Sequence, residues 1–290
     1  MTAIREFAPA KVNLTLDIEG RRSDGYHEIA SLVAFATVGD AVTIDPASEP
    51  GITVTGPYAD RLEGTNILAR AVSLLGAHAP ALRIDAIHLE KHLPVAAGLG
   101  GGSADAGALL RAVKRANADA SADVDWSRLA RALGADVPAC LAARPLWMTG
   151  VGEVLSEIPG GLPRLAALLV NPMAEVPADK TARVYAGLGA SPIGAGYTPP
   201  PVPRFADRGA LLDFMRARGN RLSAAAEGVV PDIAAVLRVL RTAPGVEYAA
   251  VSGGGPTCFG ICTDDVTAKE AGRQIATAHP NWWVAITRLG

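Results

Sequence analysis

Apolar and polar positions alternate from Val12 to Ile18: Val12, Leu14, Leu16 and Ile18 are separated by Asn13, Thr15 and Asp17. A period of two turns one face to a core and predicts a strand, with Lys11 on the polar face beside Asn13. Gly20–Gly25 is turn material, and Ile29–Thr37 is expected as the return strand. Short strands are expected at Ala41–Ile44 and Ile52–Thr55, and another at Arg83–Leu89. Helical spacing carries Asn66–His78 through Ile67, Ala71, Leu74 and Leu75. Ala104–Ala116 has no proline and one glycine, Gly107, and reads as a helix; a second helix is expected near Asp125–Leu133.

A break falls at Ile158-Pro159-Gly160-Gly161-Leu162-Pro163 and predicts a division into residues 1–160 and 161–290. Beyond it, Leu165–Val170 reads as a buried strand and Asp179–Leu188 as a helix. Ser191–Pro203 holds five prolines and is expected to be a loop. Helices follow at Arg208–Arg218 and Pro231–Thr242, then strand Tyr248–Val251, a glycine turn, strand Cys258–Cys262, helix Val266–Thr277 and strand Trp282–Thr287. Strands and helices mix without regular alternation, which predicts an α+β fold.

At 290 residues and 49% hydrophobic, the chain can bury a sizeable core. A net charge of −2 argues against a nucleic-acid partner. Cys140, Cys258 and Cys262 are odd in number and lack zinc spacing, so reduced thiols are expected. The first residues carry no apolar signal core, and runs such as Leu165–Val170 are too short to span a bilayer. The expectation is a cytoplasmic protein with no membrane partner.

Local chemistry changes this picture at Pro94-Val95-Ala96-Ala97-Gly98-Leu99-Gly100-Gly101-Gly102-Ser103-Ala104. A nearly bare backbone running into a helix start offers free N–H groups and the positive end of the helix dipole to an anion, and a polyphosphate suits it. The chain has no Gly-Lys pair, which excludes the common phosphate loop, and G-x-G-x-x-G fails at Ser103 and at Asp105. A tight turn is the plain alternative, yet four glycines between Gly98 and Gly102 carry more backbone entropy than packing requires. Ser252-Gly253-Gly254-Gly255-Pro256 is either a hairpin turn or a second loop closing on the same phosphates. Lys11, at the head of its strand among small residues, is either solvated or directed at a phosphate or hydroxyl. Asp136, before Val137-Pro138, is a helix cap or a catalytic carboxylate, and residue order does not separate the two. Asp24-Gly25-Tyr26-His27 is a turn whose rings could stack on and hydrogen-bond a base. His78, His88, His92 and His279 are scattered and read as structural or surface residues.

Pro9-Ala10-Lys11-Val12-Asn13-Leu14, the Pro94–Ser103 segment and Ser252–Pro256, in that order, resemble the kinase superfamily of galactokinase, homoserine kinase, mevalonate kinase and phosphomevalonate kinase. With Arg22-Ser23-Asp24-Gly25-Tyr26-His27 and Gly134-Ala135-Asp136-Val137-Pro138, the match resembles the branch that acts on a diphosphocytidyl sugar alcohol in non-mevalonate isoprenoid synthesis. The resemblance runs from near residue 5 to the C-terminus. It implies a two-domain α+β small-molecule kinase with its site in the cleft, phosphorylating a 2-hydroxyl with ATP and Mg2+. It implies Lys11 and Asp136 as the catalytic pair and Pro94–Ala104 as the ATP phosphate loop. It further implies Asn66 and Lys91 at the nucleotide base, and Asn13, Tyr26, His27 and Tyr185 at the cytidine substrate. Asn220-Arg221-Leu222 stands where the branch usually has Asn-Asp-Leu, Ala104 replaces a common serine, and Gly254 replaces a serine or threonine. Two other readings are another small-alcohol kinase of the superfamily and a nucleotide-binding module without catalysis.

Overall fold

The structure, a computed structural model, describes residues 2–62, 66–194 and 196–290. Its strands are β1 (Ile4–Asn13), β2 (Asp17–Arg21), β3 (His27–Asp45), β4 (Ile52–Thr55), β5 (Ala86–Glu90), β6 (Leu146–Gly150), β7 (Val154–Glu157), β8 (Leu165–Asn171), β9 (Val246–Val251), β10 (Cys258–Cys262) and β11 (Trp283–Leu289). Its helices are α1 (Ile67–His78), α2 (Gly101–Ala116), α3 (Trp126–Leu133), α4 (Val137–Ala142), α5 (Lys180–Ala186), α6 (Arg208–Arg218), α7 (Ser223–Val229), α8 (Asp232–Thr242) and α9 (Asp265–Ala278). The α+β expectation holds.

The chain forms two compact units, and neither is a continuous half. The first comprises Met1–Lys11, Gly39–Val95 and Gly100–Arg144; the second comprises Val12–Val38, Ala96–Leu99 and Pro145–Gly290. The division expected at residue 160 is therefore corrected. Ile158–Pro163 is a loop, but the packing partners of β1 and of the glycine loop lie far along the chain, so contiguous sequence does not mark the units.

In the first unit, the end of β3 pairs antiparallel with β5, from Ala41 opposite Glu90 to Asp45 opposite Ala86, and β4 adds to β5 in parallel. Helix α2 is buried along most of its length, from Ala104 through Leu110 and again at Ala112 and Val113. It packs against α1, α3 and α4. In the second unit, β9, β10, β8 and β11 form consecutive antiparallel pairs. Helix α8 lays Ile233, Val236, Leu237 and Leu240, one helical stripe, on a core with Val184, Leu168, Val170, Val251 and Cys258. β8 is buried at nearly every position, which is why it reads as an unbroken apolar run.

Two strand expectations change. The alternation from Val12 to Ile18 straddles a break: β1 ends at Asn13 and β2 begins at Asp17. The N–H groups of Leu14 and Thr15 both donate to Leu32 O, at 2.8 and 3.4 Å. Thr15 is as buried as Leu14 because its hydroxyl accepts from Leu32 N at 3.2 Å, so a polar residue here does not mark an exposed face. The strands expected at Ile29–Thr37 and Ala41–Ile44 are one strand, β3. Gly39 looks like a break but is a close approach: a Cβ there would lie 2.2 Å from Ala8 O. The proline-rich segment is a loop as expected, apart from Ala195, which lies outside the described residues. It is pinned to β2, with Arg21 N donating to Ser191 O at 2.8 Å and Ile193 N to Arg21 O at 2.9 Å.

Candidate active site

The glycine segment enters helix three residues earlier than its sequence suggests, because Ala104 N already bonds Gly100 O at 2.7 Å. Gly100 caps α2 in the left-handed conformation, and no side chain satisfies the first-turn N–H groups. Upstream, Ala96, Gly98 and Gly100 take φ of 56, 78 and 62°, alternating with residues of ordinary φ. Alternation of this kind gathers successive N–H groups into a concave nest. The carbonyls of Ala96, Ala97 and Gly98 are all engaged: by Lys180 Nζ at 2.9 Å, Thr257 N at 3.0 Å and Ser252 Oγ at 3.0 Å. In a trans peptide the next N–H points the opposite way, so the N–H groups of Ala97, Gly98 and Leu99 face away from those partners. They meet no acceptor among the described residues. Gly98 has no alternative here, since a Cβ would lie 2.5 Å from Gly255 O and 2.8 Å from Ser252 O.

At the start of α2, Lys11 Nζ donates to Asp136 Oδ1 at 2.6 Å. The lysine side chain is 4% exposed and the carboxylate 39%. Lys11 lies beside the cap: a Cβ at Gly100 would be 3.3 Å from Lys11 Cβ. Asp136 occupies the cap position of α4, with proline in the first turn, yet its side chain makes no capping bond. The carboxylate is directed at Lys11 and solvent rather than at its own helix.

Lys91 is elsewhere. Its ammonium is buried between Asp40 and Asp105, the latter at 2.9 Å, and would lie 3.1 Å from a Cβ at Gly101. The other Asp40 oxygen accepts from Leu93 N at 2.8 Å and His92 N at 2.5 Å, which holds the segment entering the loop. Burial, then the charge of Asp40, raises the Asp105 carboxyl, with Lys91 opposing. Asp105 Oδ1 has no partner among the described residues. Asn66 caps α1 by accepting from Leu68 N at 2.9 Å. Its neighbour Ile67 lies 3.7 Å from the Cβ position of Gly102, so Asn66 stands near the loop.

In the second unit, Asn13 is buried, donates from Nδ2 to Ser31 Oγ at 2.7 Å, and adjoins Gly253, whose Cβ would lie 3.2 Å from Asn13 Oδ1. His27 and Tyr185, far apart in sequence, meet as rings 5.1 Å apart. Burial, then the Arg21 charge, lowers the His27 imidazole, which is therefore neutral near pH 7 and offers one donor and one acceptor. Tyr26 is 65% exposed, in a turn where Asp24 Oδ1 accepts its N–H at 3.1 Å. The structure thus joins Lys11, Asp136 and the α2 start, and joins His27 to Tyr185. It leaves Tyr26 in solvent and Lys91 between two carboxylates.

Comparison with known proteins places the chain in a family. Residues 66–144 match the GHMP kinases N terminal domain, and residues 204–281 match GHMP kinases C terminal. The chain is 44% identical to the 4-diphosphocytidyl-2-C-methyl-D-erythritol kinase of Rhodopseudomonas palustris, over 97% of this chain and 95% of that one. It is 45% identical to the Paracoccus denitrificans kinase of the same name, over 98% and 96%. A crystal structure of 4-(cytidine 5'-diphospho)-2C-methyl-D-erythritol kinase superposes with a TM-score of 0.75 at 32% identity, covering 99% of this chain and all of that one. The chain belongs to the 4-diphosphocytidyl-2-C-methyl-D-erythritol kinase family. It is an ATP-dependent kinase with the two-domain α+β fold of the GHMP kinases.

At Asn220-Arg221-Leu222, where the resemblance leads one to expect Asn-Asp-Leu, the contacts are made by the asparagine side chain and the arginine backbone. Asn220 Nδ2 donates to Val251 O and Gly253 O, both at 2.8 Å, and so fixes the second glycine turn. Arg221 contributes its backbone, donating to Leu16 O at 2.8 Å, while its side chain is exposed. Asn220, Lys180, Asp40 and Asp105 have structural roles at the loops that residue order did not reveal. An asparagine before an odd charge was the one visible signal; a lone lysine or aspartate carries none. No helix among the described residues is long and apolar enough to cross a membrane.

Proposed function

We propose that the chain transfers the terminal phosphoryl group of ATP to the 2-hydroxyl of 4-diphosphocytidyl-2-C-methyl-D-erythritol, with Lys11 and Asp136 as the catalytic pair. The observation that carries the residue assignment is the Asp136 carboxylate, which sits at a helix cap without capping and bonds Lys11 beside the open end of α2. Phosphoryl transfer depends mainly on positioning and charge stabilisation. The nest at Ala97–Leu99 and the first turn of α2 hold the phosphates of ATP. Asp136 accepts the proton of the attacking hydroxyl, and the Lys11 ammonium keeps Asp136 in place and offsets charge on the transferred group. Magnesium bound with the nucleotide would neutralise phosphate charge. The hard oxygen donors of Ser103 and Asp136 suit it. Asn66 is read as a contact to the nucleotide base, and Lys91 as a support that fixes the loop entry through Asp40. Asn13 is read as a substrate contact. The buried free thiols Cys140, Cys258 and Cys262 support a reducing, cytoplasmic setting.

A coupled ADP-release assay tests the reaction. Turnover is expected with the diphosphocytidyl alcohol and not with galactose, homoserine or mevalonate. Turnover of one of the latter instead would point to another kinase of the superfamily, and none with any acceptor to a binding module.

His27 and Tyr185 are read as the groups that face the cytosine, with exposed Tyr26 as a further stacking surface. Buried polar groups left unpaired by a wrong base would penalise it. The cytidine substrate should therefore be preferred over its diphosphouridyl analogue. His27→Ala should raise KM for the cytidine substrate about tenfold, the equivalent of ~1.4 kcal/mol, and narrow the preference while leaving KM for ATP unchanged. Unaltered discrimination in the variant would show that His27 does not read the base.

A further inference from the structure

Lys180 opens α5 and is only 6% exposed. Its ammonium donates to Ala96 O at 2.9 Å and to Gly255 O, one carbonyl from each glycine segment. No carboxylate of a described residue shifts or pairs with it; its neighbour Asp179 pairs instead with Arg183 at 2.7 Å. Two features of this placement are unfavourable. A buried cation without a counter-charge is costly, and a cation in the first turn opposes the helix dipole. Burial pushes the ammonium down to about 8, so it remains charged at neutral pH. Charges held against such terms cluster at functional sites.

The contacts show what the ammonium does to the loop. Ala96 is a non-glycine residue at a φ of 56°, a conformation that needs outside support. Lys180 supplies it by holding the Ala96 carbonyl, and this fixes the peptide whose other side is the Ala97 N–H. With Thr257 N on Ala97 O and Ser252 Oγ on Gly98 O, three consecutive carbonyls are turned to one side and the N–H face to the other. Lys180 is the charged member of the three.

We propose that Lys180 is a positioning residue for ATP: it fastens the loop at Ala96 to the turn at Gly255 and places an unneutralised positive charge behind the N–H face that receives the phosphates. The proposal rests on the loop being the phosphate cradle. A cation behind a nest in a water-poor site adds to the potential an anion meets there.

Lys180→Met keeps the length of the side chain and removes both donors and charge; Lys180→Arg keeps charge and donors. KM for ATP, KM for the cytidine substrate, kcat and thermal midpoint are measured for both, with Gly98→Ala alongside. The expected result for Lys180→Met is a rise in KM for ATP of at least about tenfold, a cytidine KM within about twofold of the wild type, and partial recovery in Lys180→Arg. Unchanged KM for ATP, or equal shifts in both KM values, overturns the proposal, the latter because it marks a role in the fold alone. If Lys180→Met does not fold, Lys180→Gln, which removes the charge but keeps a polar donor, decides by the same split: a rise in KM for ATP alone supports the proposal, and no rise or an equal rise in both KM values overturns it. Gly98→Ala separates the two levels. If it weakens ATP while Lys180→Met does not, only the role of Lys180 falls; if neither weakens ATP, the cradle itself falls.

Discussion

Replacing Asp136 by asparagine is expected to reduce turnover by roughly 10²–10⁴-fold, the usual contribution of a positioned general base, while the protein stays folded and still binds ATP. The fold should survive because the Asp136 side chain makes no capping bond to α4, so no cap is lost. An asparagine oxygen can also still accept from Lys11, whose side chain is too enclosed to be left without a partner. What asparagine cannot do is take a proton from the attacking hydroxyl. The assay is ADP release at saturating ATP, with a thermal melt and ATP calorimetry on the same sample. A folded variant within tenfold of wild-type turnover would remove Asp136 from the reaction and return it to the role of a helix-end residue.

Gly98→Ala is expected to raise KM for ATP by roughly 5- to 150-fold, the equivalent of the ~1–3 kcal/mol of left-handed strain that the loop must move to relieve. The strain follows from a φ of 78°. Steric conflict adds to it, with backbone oxygens of Gly255 and Ser252 at 2.5 and 2.8 Å from the new carbon. Neither oxygen is the end of a flexible side chain, so relief means separating the loop from the 252–257 turn and losing the N–H alignment. Gly161→Ala is the control. It has a φ of 73° and nothing within 4 Å of its Cβ position, so it should lower stability without affecting ATP. Equal KM values for ATP in Gly98→Ala and wild type would show that the loop does not hold the phosphates. Gly101 is the weaker probe, because a side chain there would point toward the Lys91 ammonium and Leu93.

Elements built from contiguous periodicity were legible in the residues alone. β4 at Ile52–Thr55 and α6 at Arg208–Arg218 match to the residue, and α1 at Ile67–His78 starts one residue after the expected Asn66. The bare backbone of Pro94–Ala104 and the helix that follows it were legible for the same reason, since the two are neighbours in sequence. The short α7 and the pair β6 and β7 were not expected as elements, because their few residues carry too little periodicity. The role of Asp136 was undecidable, because a cap and a catalytic carboxylate use the same residue at the same place. Its partner Lys11 lies 125 residues away, and only folding brings the two to 2.6 Å. The same holds for Lys180, whose acceptors are 84 and 75 residues distant, and for Lys91, whose burial between Asp40 and Asp105 ties it to the fold around the loop. Local sequence determines which backbone can bind a phosphate, since conformational freedom and helix ends are properties of adjacent residues. Which charged side chain stands at that backbone, and whether it is free to act, is decided by tertiary structure, because the energy of a charge depends on partners and burial that no local stretch contains.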